Sequence, residues 1–300
     1  MRAIFVTNRT KAHIAVLATN LFFAINYSMV KYISPSLIKP FAVNFVRVGV
    51  SMIFFWLVWL FGKTEAGIQR KHLFRFIVCA VTGVGINQML FVKGLTLTST
   101  IHASLLILCT PLLITVFAFW ILKEKLTPAK AIGLASGIGG SVLLIMEKES
   151  SAHADNYLLG DILIIINAIS YAFYFILVKP LMKEYSPLHI VRWIFTLGFF
   201  MVVPFAWTEV TEIHWQQFHY ADFGALAFVV IGGTFLAYYF NAFGIMHLGA
   251  GITGSYIYTQ PIFAALIATF VLNEPLTFQK IVAGILIFAG VFLVSFRKSQ

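Results

Sequence analysis

The sequence predicts an all-α integral membrane protein of ten transmembrane helices, arranged as two inverted five-helix repeats. Three observations predict it. The first is composition. Of 300 residues 60% are hydrophobic and 11% charged, and mean hydropathy is +0.91, whereas a soluble domain is about 25% charged. The second is an internal repeat. Residues 94–146 lie over residues 244–296 at a constant offset of 150 without a gap, with 11 of 53 positions identical. Glu124, Leu126, Thr127 and Lys130 return as Glu274, Leu276, Thr277 and Lys280. Pro111 returns as Pro261, each inside a hydrophobic run, and Gly83 pairs with Gly233. A fixed period of half the chain reads as a duplication, with copies at 1–148 and 149–300. The third is charge asymmetry between successive connectors, which fixes the relative orientation of the copies.

A bilayer core of about 30 Å needs about 20 apolar residues per helix. Ten runs meet that length. Run one, 13–32, carries Asn20 and Tyr27 on one face at i, i+7, with Asn26 about 100° round the helix. Run two, 40–61, holds Arg47 two turns in, expected at the outer interface or the cavity mouth. Run three, 73–93, has Asn87 and Gln88 near the bilayer middle. Run four, 101–122, contains Pro111, and run five, 130–147, holds Gly133, Gly137 and Gly140. Run six, 158–180, places Asn167, Tyr171 and Tyr174 on one stripe by i, i+4, i+7 spacing. Run seven, 189–207, has Arg192 near its start. Run eight, 222–244, carries Tyr238 and Asn241. Run nine, 252–272, carries Tyr256 and Gln260 four apart, just before Pro261. Run ten, 279–296, holds Gly284 and Gly290. Small residues on runs five and ten allow close helix approach, read as internal packing, with dimerisation as the lesser alternative.

With the N-terminus inside, the inner segments hold 14 Lys and Arg, the outer segments 5, and two lie within runs, accounting for all 21. That bias places both termini in the cytoplasm. It also explains the net charge of +10 without nucleic acid as a partner. The segment before His13 is polar and basic and reads as a retained cytoplasmic tail. Five helices per copy is an odd number, so the second copy is inverted relative to the first. Inverted repeats recur in secondary transporters, where alternating access is a rocking of one half against the other.

At this point the chain resembles the drug/metabolite transporter superfamily, specifically its EamA-type permeases. The resemblance spans essentially the whole chain. It is sharpest at Thr110-Pro111 through Glu124-Lys125-Leu126-Thr127, and at Gln260-Pro261 through Asn273-Glu274-Pro275-Leu276-Thr277. Asn26, Tyr27, Lys31 and Arg47 in the first copy, and Tyr171, Lys179 and Arg192 in the second, are weaker matches. The resemblance implies a monomer-sized transport unit, lined by helices one, three, four, six, eight and nine, with five and ten peripheral. It also implies small metabolites such as amino acids as cargo, and export across the bacterial inner membrane.

Polar groups inside a membrane are costly, so they face partners or a wet cavity. The candidate substrate-binding residues are therefore Asn20, Tyr27, Asn87, Gln88, Asn167, Tyr171, Tyr174, Tyr238, Asn241, Tyr256 and Gln260; for any one of them interhelical hydrogen bonding is the competing role. Pro111, Pro261, Glu124 and Glu274 are candidate gating and hinge positions, each Glu pairing with a nearby Lys or with donors of the following helix. Thr127 and Thr277 are candidate N-caps. Cys79 and Cys109 read as small core residues, and no cofactor or metal is expected. No Asp or Glu falls at the middle of a run, Asp161 and Asp222 being near outer ends. No phosphate-binding Walker motif occurs. The expected partners are a small-molecule substrate and the lipid bilayer. The competing functions are a non-transporting membrane scaffold and an intramembrane lipid-modifying enzyme. The runs offer no nucleophile or acid–base pair for the latter.

Overall fold

The computed structural model describes residues 8–61, 67–122, 128–146, 156–248, 252–253 and 256–295. Among them no strand occurs. Six helices are long and apolar enough to cross a membrane: α1 (Asn8–Ile33), α2 (Pro40–Leu60), α3 (Arg70–Leu97), α6 (Tyr157–Val178, extending to Lys183), α7 (Pro187–Thr211) and α8 (Tyr220–Leu248). Four apolar helices are shorter. Of these α4 is built of two pieces, Thr100–Ile107 and Cys109–Leu122; α5 is Pro128–Ile145, α9 is Gln260–Val271 and α10 is Phe278–Ser295. Each of the ten apolar runs falls on one of these helices.

Local chemistry sets the ends. Ser99 caps α4 by accepting from the His102 amide at 3.2 Å, and Asn156 caps α6 by accepting from Leu159. Ser186 caps α7 through the His189 amide, with Pro187 at the first helical position. Thr277 accepts from the Lys280 amide at 3.2 Å and caps α10, as the sequence predicts. The end of α9 turns through a left-handed residue. Asn273 takes the left-handed conformation, φ 54°, and the Glu274 amide reaches back to the Ala268 carbonyl at 3.1 Å.

Two helices carry π-helical turns, at Val81–Gly85 in α3 and Phe228–Leu236 in α8. These contain the glycines Gly83 and Gly233, 150 residues apart. A Cβ at Gly233 would lie 2.3 Å from Asn26 Oδ1, so the glycine lets α1 close onto the widened turn.

The packing also repeats at that offset. α3 packs on α6 and α8 on α1; α4 packs on α6 and α9 on α1; α2 packs on α7, and α5 on α10. Adding five to every helix number returns the same set. At the α5–α10 contact the exchange is residue by residue. Gly140 abuts Ala283 and Ile287, while Gly290 abuts Gly133 and Gly137, and Ser136 Oγ donates to the Leu286 carbonyl at 2.9 Å. The two helices are therefore antiparallel. Large apolar side chains such as Phe270, Phe200 and Trp120 face outward, 79%, 67% and 71% exposed, a surface suited to lipid and unfavourable in water.

Candidate functional site

A cavity of about 100 Å³ lies at the centre of the bundle. α1 contributes Thr19, Asn20, Phe23 and Tyr27; α2 contributes Arg47; α3 contributes Asn87, Gln88 and Phe91; and α4 contributes Ile107 and Thr110. From the second half come Asn167, Tyr171 and Phe175 of α6, then Tyr238, Asn241 and Ile245 of α8. Thr253, Ile257 and Gln260 complete the wall. Among the described residues, none of α5 or α10 lines it.

The wall is ordered by hydrogen bonds between helices. Asn87 Nδ2 donates to the Asn167 carbonyl at 3.3 Å, and Asn167 Nδ2 donates to the Asn87 carbonyl at 2.7 Å, tying α3 to α6. Gln260 Nε2 donates to the Tyr27 hydroxyl at 3.0 Å. Gln88 donates to the Tyr238 hydroxyl, and these two occupy the same position in the two halves of the chain. Asn20 Nδ2 bonds its own helix at Val16. Between the amides stand aromatic rings, among them Tyr27 edge-on to Phe91 with centroids 5.3 Å apart. Such a surface offers amide donors and acceptors between apolar walls, the usual make-up of a small-molecule site.

The two ends of the bundle differ. A second cleft of about 30 Å³ shares Tyr171, Phe175, Tyr238, Asn241 and Ile245 with the cavity and runs to Lys179, Met182 and Pro187 at the α6–α7 connection. The opposite end is closed by polar contacts. Glu274 accepts from the Thr100 amide at 3.0 Å, the Ile101 amide at 3.2 Å and Lys31 Nζ at 3.2 Å. Tyr32 donates to Asp222 at 2.8 Å. Asp161 is buried, accepting from Thr98 and lying 3.1 Å from His102 Nδ1. Glu209 caps the start of α2 through the Phe41 and Ala42 amides, and Lys39 pairs with Glu212.

Nine of the eleven candidate binding residues line the cavity: Asn20, Tyr27, Asn87, Gln88, Asn167, Tyr171, Tyr238, Asn241 and Gln260. Tyr174 lines the second cleft instead. Tyr256 lines neither. Its hydroxyl lies 2.8 Å from His13 Nδ1. The reason is the 3₁₀ turn Tyr256–Thr259, which has three residues per turn, so the i, i+4 pairing with Gln260 expected of a continuous α-helix is lost.

Other expectations are corrected as well. Of the two places expected for Arg47, the outer interface is excluded and the cavity side kept: it is 2% exposed and in the cavity wall. Pro111 follows a break at Leu108; lacking an N–H, it leaves the Ile107 carbonyl without its i+4 donor. Pro261 sits in the first turn of α9, where a missing N–H costs nothing, so it begins a helix and does not kink one. Glu274 does pair with a lysine, but its backbone donors belong to α4, not to the following helix. Glu124 and Thr127 lie outside the described residues. Phe23, Phe91 and Phe175 went unremarked in the sequence, yet each stands three or four residues from a candidate polar group and so on its face.

Comparison with known proteins gives one family, the EamA-like transporter family, whose model matches residues 10–146 and again residues 158–296. An uncharacterized transporter of Archaeoglobus fulgidus is 25% identical over 295 residues, covering 97% of this chain and 99% of the relative. The uncharacterized transporter YetK of Bacillus subtilis is 24% identical over 254 residues, 83% and 76% of the two chains. A WAT1-related protein of Arabidopsis thaliana is 22% identical, with coverage of 98% and 88%. One crystal structure, 16% identical, superposes with a TM-score of 0.64 over 94% of this chain and 95% of its own; it supports the fold alone.

Proposed function

The chain belongs to the EamA-like transporter family and is a multi-pass membrane transporter; from that premise we propose that it is a secondary transporter of small metabolites, working by alternating access between two inverted five-helix repeats. The observation that carries this reading is the cavity. It is walled by corresponding helices of both halves, α1 with α6, α3 with α8 and α4 with α9. A substrate there touches both halves at once, so a rocking of one half on the other changes which end it meets.

Inversion is supported by the antiparallel α5–α10 contact and by the ends of the other helices. Lys31 and Tyr32 at the end of α1 meet Glu274 just past the end of α9 and Asp222 at the start of α8, and Thr98 at the end of α3 meets Asp161 at the start of α6. The state described is shut at the Glu274 end and cleft toward the α6–α7 connection. The charge bias assigns the Glu274 end to the outside and both termini to the cytoplasm of a bacterial inner membrane. Export of metabolites such as amino acids follows from the family resemblance. Asn20, Asn87, Gln88, Asn167, Tyr238, Asn241 and Gln260 are the polar contacts, and Tyr27 and Tyr171 the aromatic walls. Pro111, after the break at Leu108, marks where α4 bends. The unit acts as a monomer.

The test is counterflow of labelled small metabolites in proteoliposomes containing the full chain. Saturable, substrate-selective counterflow supports transport. Its absence across a broad panel, with correctly folded protein, favours the scaffold reading. Chemical conversion of a lipid would favour the enzyme reading.

A further inference from the structure

Arg47 is the one charged side chain among the described residues that line the cavity. Its Nε donates to Thr234 Oγ1 at 3.0 Å. Thr234 itself donates to the Val229 carbonyl at 2.7 Å within the π-helical turn of α8, so that turn fixes one edge of the guanidinium. Nη1 of the same group is buried and has no hydrogen-bond partner among the described residues. The Phe91 ring lies 6.0 Å from Cζ, at the limit of a cation–π contact. Among the described residues no carboxylate belongs to the cavity wall. A guanidinium stays charged at physiological pH, and burying a charge without a partner is costly.

The other buried arginine among the described residues shows the contrasting case. Arg192 sits against the Trp56 and Trp59 rings, 4.7 and 4.8 Å from their centroids. Its Nη2 lies 3.3 Å from His189 Nδ1, and it is away from the cavity. Arg192 packs against aromatic rings between helices; Arg47 stands in the wall of the cavity.

We propose that Arg47 is the anion-binding residue of the cavity and that the molecule carried is a small organic anion whose carboxylate sits on its guanidinium. This rests on the transport reading and names its substrate class. The guanidinium fork matches a carboxylate geometrically, and the wall amides and rings take the remainder of the molecule. Size points the same way. One water takes roughly 10–15 Å³ of cavity space, so about 100 Å³ admits on the order of seven to ten heavy atoms. Amino acids and short carboxylic acids are of that size.

The experiment has two arms, both on the full chain. In the first, the thermal midpoint in detergent is followed with sodium acetate, sodium propionate and sodium phosphate against sodium chloride at equal ionic strength. The carboxylates are expected to raise the midpoint of the native protein. Arg47→Met should abolish the shift, and Arg47→Lys, which keeps the charge without the fork, should weaken the apparent affinity at least tenfold. No carboxylate-specific shift in the native protein, or an equal shift in Arg47→Met, overturns the proposal. A larger shift with phosphate overturns the carboxylate assignment. If Arg47→Met does not fold, the native protein and Arg47→Lys decide: undiminished affinity in Arg47→Lys overturns it. The second arm is counterflow of labelled monocarboxylates, zwitterionic amino acids and amines of matched size. Flux confined to carboxylate-bearing probes and reduced at least tenfold in Arg47→Lys is the expected result. Flux confined to amines overturns the proposal and leaves transport standing. No flux of any probe counts against the transport reading, and the thermal arm then decides anion binding by itself.

Discussion

Tyr256 and Gln260 stand four positions apart in the chain and on different sides of the cavity wall. The Gln260 amide hydrogen-bonds the buried Tyr27 hydroxyl across α1, whereas the Tyr256 hydroxyl meets His13 near the start of α1. Substituting each therefore has a different consequence. Gln260→Ala removes a cavity amide and should weaken substrate affinity by on the order of tenfold, equivalent to about 1.4 kcal/mol, with little change in folded yield. Tyr256→Phe removes one half-buried hydrogen bond, worth about 0.5–1.5 kcal/mol, and should leave affinity unchanged while lowering the thermal midpoint slightly. Concentration-dependent counterflow and thermal unfolding on the two variants separate these outcomes. Equal loss of affinity in both would mean that the 3₁₀ turn does not hold Tyr256 out of the substrate path.

At the scale of the helix, the α5–α10 contact has the least room to adjust. A Cβ on Gly290 would lie 2.5 Å from the Gly133 carbonyl and 2.6 Å from the Gly137 amide nitrogen, both backbone atoms. Gly290→Ala must push the helices apart and should cost about 1–3 kcal/mol, seen as a lower thermal midpoint. Gly139, with nothing within 4 Å of its Cβ position, is the control; Gly139→Ala should be neutral or slightly stabilising, since Ala is the better helix former. That glycine contact was legible in the sequence, because small residues and the 150-residue offset are both linear patterns. So were nine lining residues, which follow from polar groups at helical spacing inside apolar runs. What could not be read were departures from that spacing. Hydropathy does not report whether a turn closes at i+3, i+4 or i+5, so the π-helical turns around Gly83 and Gly233 and the 3₁₀ turn at Tyr256 were invisible, and Tyr256 was misplaced with them. Nor does it report partners far apart in sequence. Lys31 and Glu274 are 243 residues apart, and the Thr234 hydroxyl that orients Arg47 is 187 residues from it.

Whole-molecule behaviour depends on how the bundle closes at one end and opens at the other. Orientation is checked first. Asn156 and Gln69 are exposed and lie at opposite ends, so Asn156→Cys should label from outside intact cells and Gln69→Cys only after permeabilisation. Labelling of both from one side would rule out the inverted arrangement. The closed end then turns on Glu274. Its carboxylate holds the first two amides of α4 from the other half of the chain and pairs with Lys31 of α1, so it joins three helices only while that end is shut. Glu274→Gln keeps one acceptor oxygen but loses the ion pair and part of the cap, a loss of about 0.5–2 kcal/mol on the scale of helix capping. If the contact is a latch, that loss falls on the closed state alone and shifts the population. A shift of 1.4 kcal/mol changes the ratio of the two states about tenfold. In a background with Cys79 and Cys109 replaced by Ala, a cysteine at Thr96 near the Glu274 end should label faster in Glu274→Gln. A cysteine at Met182 in the opposite cleft should label more slowly. Unchanged labelling at both positions, together with a lower thermal midpoint, would reduce Glu274 to a helix cap with no part in gating.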